Sequence, residues 1–228
     1  MRLKGSQVAL GLAVAAGLVG TMYGALVWAP TEKTMGDIQR IFYIHVPSFL
    51  TSFVAFLCVF VASVAYLVTK NMQWDRIGLA CAELGTIFCT AGLITGPIWA
   101  KPVWGIWWTW DARLTTTLIL WLLYVSYLLL RDFLEEPARR ATLAAVFGIF
   151  AFVDVPIVYF SIRIFRTQHP QPVFMGGQDS GLDPNMKMVF YLSWITLLIL
   201  FGFLVSMRVK LEKEREQVRE LRRQFLLQ

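Results

Sequence analysis

Six long apolar runs, at 8–29, 46–69, 77–99, 114–130, 141–160 and 189–207, dominate this chain and limit what it can fold into. A helix needs ~20 mostly apolar residues to cross the hydrocarbon core of a bilayer. Inside that core no water is on hand for backbone N–H and C=O groups, so each run must satisfy its own as an α-helix. The fourth run is the shortest, and Arg113 and Arg131 at its ends have the reach to snorkel outward. The first run is long for the apolar part of a signal peptide and lacks a small-x-small cleavage site, so it is expected to stay as a helix. Of 228 residues 57% are hydrophobic and 16% charged, against ~25% charged in a soluble domain. The fold class expected is an all-α integral membrane protein of six transmembrane helices, with no soluble domain of any size.

Six spans bring both termini to one side, and basic residues choose that side. With the N-terminus cytoplasmic, the inner segments hold Arg2, Lys4, Lys70, Arg76, Arg131, Arg139, Arg140 and seven basic residues of the tail. The outer segments, 30–45, 100–113 and 161–188, hold Lys33, Arg40, Lys101, Arg113, Arg163, Arg166 and Lys187. The excess inside predicts cytoplasmic N- and C-termini, and it rests on the tail. The net charge of +6 gathers at helix ends and in that tail, where anionic membrane lipid accounts for it without nucleic acid. The chain divides into a six-span membrane domain, 1–207, and a charged cytoplasmic helical tail, 208–228. In the tail Leu204, Leu211, Val218 and Phe225 recur every seven residues and mark one apolar stripe.

Chemistry gathers on the outer segments. Four of the nine tryptophans lie in Trp104-Gly105-Ile106-Trp107-Trp108-Thr109-Trp110-Asp111, between the third and fourth runs. Read as an interfacial helix, Trp104, Trp107, Trp108 and Asp111 share one face, while Trp110 points elsewhere. Tryptophan is enriched at membrane interfaces, but an interfacial belt scatters its rings, as Trp28, Trp74 and Trp194 do here. A dense cluster makes a platform for a large planar ligand, since each offset aromatic stack adds roughly 0.5–1.5 kcal/mol beyond area burial. Asp111 directly precedes the fourth run and is placed to cap its N-terminus, and Gly105 permits close approach of backbone or ligand.

The chain has two histidines, His45 in Tyr43-Ile44-His45-Val46-Pro47 and His169 in Gln168-His169-Pro170, and both fall on the outer segments beside the tryptophans. Histidine is a standard axial ligand of haem iron. Together they predict a non-covalent, bis-histidine haem b site, with Arg40, Lys101, Arg113, Arg163 and Arg166 available for the propionates. Cys58, Cys81 and Cys89 lie inside apolar runs, and no Cys-x-x-Cys-His is present for covalent attachment. Glu83 and Asp154 lie within spans with no evident partner, and intramembrane acids are functional candidates. The loop 161–188, with Pro170, Pro172, Gly176, Gly177, Gly181 and Pro184, is irregular, as functional loops often are. Nothing in the sequence has the residue pattern of a hydrolase, a zinc site or a nucleotide-binding loop.

These residues carry a resemblance. The stretch from Thr95-Gly96-Pro97 through Trp104-Gly105-Ile106-Trp107-Trp108-Thr109-Trp110-Asp111-Ala112-Arg113-Leu114-Thr115 resembles the tryptophan-rich "WWD" segment of the cytochrome c maturation protein C (CcmC) family. Tyr43-Ile44-His45-Val46-Pro47 resembles its first histidine motif. Val155-Pro156-Ile157-Val158-Tyr159-Phe160-Ser161, followed by His169-Pro170-Gln171-Pro172, resembles its second. One departure is that Ile164-Phe165 stand where the family usually has a Trp-Trp pair. The resemblance implies a haem-handling protein of the bacterial inner membrane, not a turnover enzyme. It implies haem held on the periplasmic face by His45 and His169 against Trp104, Trp107, Trp108, Trp110, Asp111 and Arg113. It further implies delivery to the haem chaperone CcmE and association with the ABC transporter subunits CcmA and CcmB and with small CcmD. Two other readings compete. A bis-histidine electron-transfer protein would pair histidines across helices within the bilayer. A haem-free scaffold or permease subunit of an ABC transporter would use the tryptophans only as anchors.

Overall fold

In the computed structural model, which describes residues 5–165, 167–169 and 182–226, six helical spans are long and apolar enough to cross a membrane. This is a multi-pass, all-helical membrane protein. The first span is α1 (Gly5–Tyr23), ending in a π-helical turn at Gly24–Trp28. A 3-10 turn at Asp37–Ile41 leads into α2 (Phe42–Thr69), followed by α3 (Met72–Trp104) and α4 (Ala112–Asp132). The fifth span is split into α5 (Pro137–Phe152) and α6 (Asp154–Ile164), and the sixth is α7 (Pro184–Leu226).

Local chemistry sets the boundaries. Lys70, at φ 55°, closes α2 by donating its N–H to Tyr66 O at 2.7 Å, and Asn71 then caps α3 by accepting from Gln73 N at 2.9 Å. Two residues therefore suffice for the turn. Glu136 caps α5 through Ala138 N (3.2 Å) and Arg139 N (3.0 Å), with Pro137 at the first helical position, where its missing N–H costs nothing. Read as one apolar span despite Asp154 and Pro156, the fifth run predicts one helix, but the chain breaks at Val153. Pro156 falls in the first turn of α6, a position that needs no intrahelical donor.

Packing centres on α2, which runs along α3 and also meets α5 and α7. In lipid, helices associate through close packing rather than hydrophobic expulsion, so small residues sit where helices approach. At Gly92 a Cβ would lie 2.5–2.7 Å from the Phe49 ring, so only glycine lets α2 and α3 meet there. Pro47 within α2 cannot donate to Tyr43 O, and the Ser193 hydroxyl of α7 supplies the missing hydrogen bond. At the end of the bundle formed by the start of α3 and the end of α4, Arg131 forks onto Asp75 at 2.6 and 2.7 Å, both side chains fully enclosed. Arg131 therefore does not snorkel, because its counter-charge lies inside the bundle. Glu83 likewise has a partner, Arg208 of α7 at 2.6 Å, far away in sequence. Asp154 is buried at the α5–α6 break and its Oδ2 has no partner among the described residues.

Candidate functional site

At the opposite end of the bundle, α2 begins, α3 ends, α4 begins and α6 ends. Between them lies a cavity of about 580 Å³ walled by both histidines and most of the tryptophan cluster. Ligand pockets span ~300–1,000 Å³, so the space suits a large organic molecule. Its wall is largely aromatic and aliphatic, with Phe42, Phe49, Trp99, Trp104, Trp107 and Trp108 among the lining residues.

His45 stands in the first turns of α2 rather than in the preceding loop, because the helix starts at Phe42. Its Nδ1 lies 2.9 Å from Thr95 Oγ1. The Thr95 hydroxyl donates its one proton back to Ala91 O at 2.7 Å, so toward His45 it acts as an acceptor. Nδ1 must then carry the ring proton, and Nε2 keeps its lone pair. Phe49 and Trp99 meet the ring edge-on at 5.1 and 5.6 Å. Gly96 leaves room for it, since a Cβ there would be 3.2 Å from His45 Cε1.

His169 is held in a similar way on the loop after α6. Its Nδ1 is buried 3.6 Å from Asp111 Oδ2, too far for a formed hydrogen bond, and has no other partner among the described residues. Its ring meets Trp104 edge-on at 5.2 Å, and its backbone N–H donates to Thr167 Oγ1 at 2.9 Å. Burial lowers the imidazole pKa below its ordinary value, against the pull of Asp111, so the ring is neutral and keeps a lone pair at neutral pH. Each histidine thus has Nδ1 turned to a protein oxygen. For His45 the hydrogen bond orients the ring for ligation through the other nitrogen, whereas at His169 the Asp111 carboxylate faces Nδ1 without a formed bond.

The tryptophan segment is not the helix its spacing suggests. Gly105, at φ 77°, takes the left-handed conformation that ends α3, and its N–H donates to Lys101 O at 3.0 Å. From there residues 106–111 run as irregular chain to Asp111, which caps α4 by accepting from Leu114 N at 2.9 Å. A glycine stop and an aspartate start leave no room for a helix between them. Gly105 serves backbone conformation, as nothing lies within 4 Å of where its Cβ would be. Trp104, Trp107 and Trp108 still reach the cavity wall, whereas Trp110 and Asp111 do not. Trp110 is 75% exposed, edge-on to Trp108 at 5.8 Å.

Of the basic residues named from sequence, Arg113 lines the cavity, with Nη1 donating to Val158 O at 2.7 Å. That bond ties α4 to α6, so Arg113 does not snorkel. Arg40 clamps the carbonyls of Ala25 and Ala29 at the end of the first span, Lys101 donates to Gly105 O at 2.9 Å, and Arg163 lies over the Tyr159 and Phe160 rings. Arg166 and the loop residues Pro170, Pro172, Gly176, Gly177 and Gly181 lie outside the described residues. Sequence reasoning passed over the roles of Thr95 and Trp99. They stand one helical turn apart on α3, a hint of a shared face, but their meeting with His45 depends on the register of α2 against α3.

Fold and site define a class: a six-span membrane protein with an aromatic cavity at one end of the bundle and both its histidines on the wall. The chain belongs to the family described as Heme exporter protein C (CcmC), whose model matches residues 2–224. It is 32% identical over 203 residues to Heme exporter protein C of Bradyrhizobium diazoefficiens, covering 89% of this chain and 76% of that protein. It is 32% identical over 208 residues to Heme exporter protein C of Escherichia coli K12, covering 89% and 83%. A putative cytochrome c biosynthesis ccmC-like mitochondrial protein of Marchantia polymorpha is 31% identical over 177 residues, 77% of this chain and 75% of its own.

Proposed function

We propose that this chain binds haem b non-covalently in the cavity and presents it for delivery during c-type cytochrome biogenesis. The observation that carries the reading is that both histidines stand on the wall of one cavity, His45 with Nδ1 hydrogen-bonded to Thr95 and His169 with Nδ1 facing the Asp111 carboxylate at 3.6 Å. Histidine is a ligand of haem iron, and His45 and His169 would hold it through Nε2. Trp104, Trp107 and Trp108 offer aromatic walls to a porphyrin, and Arg113 places a cation on the same wall for a carboxylate. Asp111 acts behind His169 as its positioning partner, and Trp110 belongs to the outer rim.

In this reading the cavity end faces the periplasm, and the bacterial inner membrane holds the bundle with both termini in the cytoplasm. Residues 1–207 form the haem-handling domain and 208–228 the cytoplasmic tail. The exposed rim of Trp107, Trp110, Ile164 and Phe165 offers an apolar landing surface for the haem chaperone CcmE, to which the cargo's free edge is presented. The family implies CcmA, CcmB and CcmD as assembly partners. The protein delivers a cargo and turns over no substrate.

The test is co-expression of the chain with CcmE in cells lacking their own copy of this protein. Covalent haem on the chaperone, read by haem staining of denaturing gels, is expected with the parent and lost with His45→Ala or His169→Ala. Chaperone loading that persists in both variants would overturn the reading.

A further inference from the structure

The sixth span does not stop at the membrane. At 43 residues, α7 is about 64 Å long, roughly twice the ~30 Å hydrocarbon core. Its last part continues, unbroken, beyond the end of the bundle opposite the cavity. There one side of the helix is used internally. Arg208 joins Glu83 at 2.6 Å and Glu212 at 2.7 Å, while Glu216 takes Arg76 at 2.7 Å. Residues 208, 212 and 216 share a face, so this ladder sets the rotation of the helix against α3.

With that rotation set, Leu211, Val218, Leu221 and Phe225 emerge on the side turned away from α3. They are 38, 59, 54 and 76% exposed. Arg215 and Arg222 flank one side, with Arg215 3.9 Å from Glu212, and Lys210, half-buried beside Ser6, Gln7 and Leu10 of α1, stands with Gln217 on the other. Glu214 falls within the stripe, between Leu211 and Val218, and is its one acidic position, while Glu212 is paired with Arg208 and lies near Arg215, and Glu216 is paired with Arg76. An apolar stripe with basic edges is one half of a helix pair, and charges at such edges select the partner.

We propose that the α7 stripe docks an amphipathic helix of a second protein whose edge positions are acidic. Charge complementarity decides for this occupant. A second copy of the chain would set Lys210 and Arg215 against their like. A lipid surface would need the stripe to lie in the membrane plane, whereas it continues a spanning helix. The proposal does not depend on the haem reading.

Two synthetic amphipathic helices test it, sharing a leucine core and carrying glutamate or lysine at the edges. Their binding to the full chain in nanodiscs of zwitterionic or anionic lipid is followed by fluorescence anisotropy. The glutamate peptide should bind at least tenfold more tightly than the lysine peptide in both lipids. Val218→Asp should weaken it at least tenfold, and Arg215→Glu with Arg222→Glu should invert the preference. All three substitutions fall on exposed or half-exposed surface, and monodispersity with unchanged helical circular dichroism checks the fold. Four results would overturn the proposal: no binding, equal binding of both peptides, loss of binding in anionic nanodiscs, or dimers of the chain that Val218→Asp abolishes.

Discussion

The two ends of the bundle use polar groups in opposite ways. At the end formed by the start of α3 and the end of α4, four acids are paired within the chain: Asp75 with Arg131, Glu83 and Glu212 with Arg208, Glu216 with Arg76. At the cavity end, Thr95 takes one nitrogen of His45, Asp111 only faces His169, and the remaining nitrogens are left over. A group that is fully paired serves structure, whereas one that is oriented by its partner and keeps a lone pair can serve a ligand. Substitutions at the first end should therefore cost stability, and those at the second should cost binding with little loss of fold.

The largest effect is expected at Asp75. Asp75→Ala strands a buried guanidinium, and breaking a buried pair from one side costs about 3–5 kcal/mol, so the yield of monodisperse protein and its thermal midpoint should fall sharply. Asp75→Leu combined with Arg131→Met should recover much of that loss. If the single variant keeps its thermal midpoint, the division between the two ends is wrong.

Next come the partners of the histidines. Asp111→Asn keeps an acceptor for Leu114 N but removes the carboxylate facing His169 Nδ1. Such partners are worth roughly 10–100-fold in metal-site affinity, so haem titration should show a loss in that range with an unchanged thermal midpoint. Asp111→Ala should add about 1 kcal/mol of destabilisation from the lost cap. Thr95→Val deprives His45 Nδ1–H of its acceptor, and haem affinity should drop at the lower end of the same range, about tenfold. Equal thermal midpoints and equal haem affinity in Asp111→Asn and Thr95→Val would remove the positioning role.

The smallest effect is expected at Glu83. The Glu83–Arg208 pair is partly exposed, with side chains 30% and 19% accessible, and exposed pairs are worth about 0–1 kcal/mol. Glu83→Gln should move the thermal midpoint only slightly and leave haem titration unchanged.

How much of this was legible follows from the range of each interaction. The six spans could be read because apolar length is a property of each segment alone. The cap at Asp111 could be read too, being local. The break at Val153 adjoins Asp154 and Pro156, a local signal that the apolar length of the span outweighed. The tryptophan spacing suggested a helical face, yet Gly105, two residues before the central pair, and Asp111, three after it, override it by ending one helix and starting the next. Partners such as Arg208 for Glu83 and Thr95 for His45 come from other helices, and no single-segment pattern reports them. The basic residues show the same limit: Arg40, Lys101 and Arg113 all have the right charge for a propionate and all donate to carbonyls, but only Arg113 of the three lines the cavity.

The most direct measurement is the electron paramagnetic resonance spectrum of the purified, haem-loaded ferric chain beside His45→Ala and His169→Ala. A low-spin signal in the parent, turned high-spin in each variant and restored by added imidazole, is the predicted result. A low-spin signal that survives in either variant, or a parent that takes up no haem, would contradict the paired-histidine site.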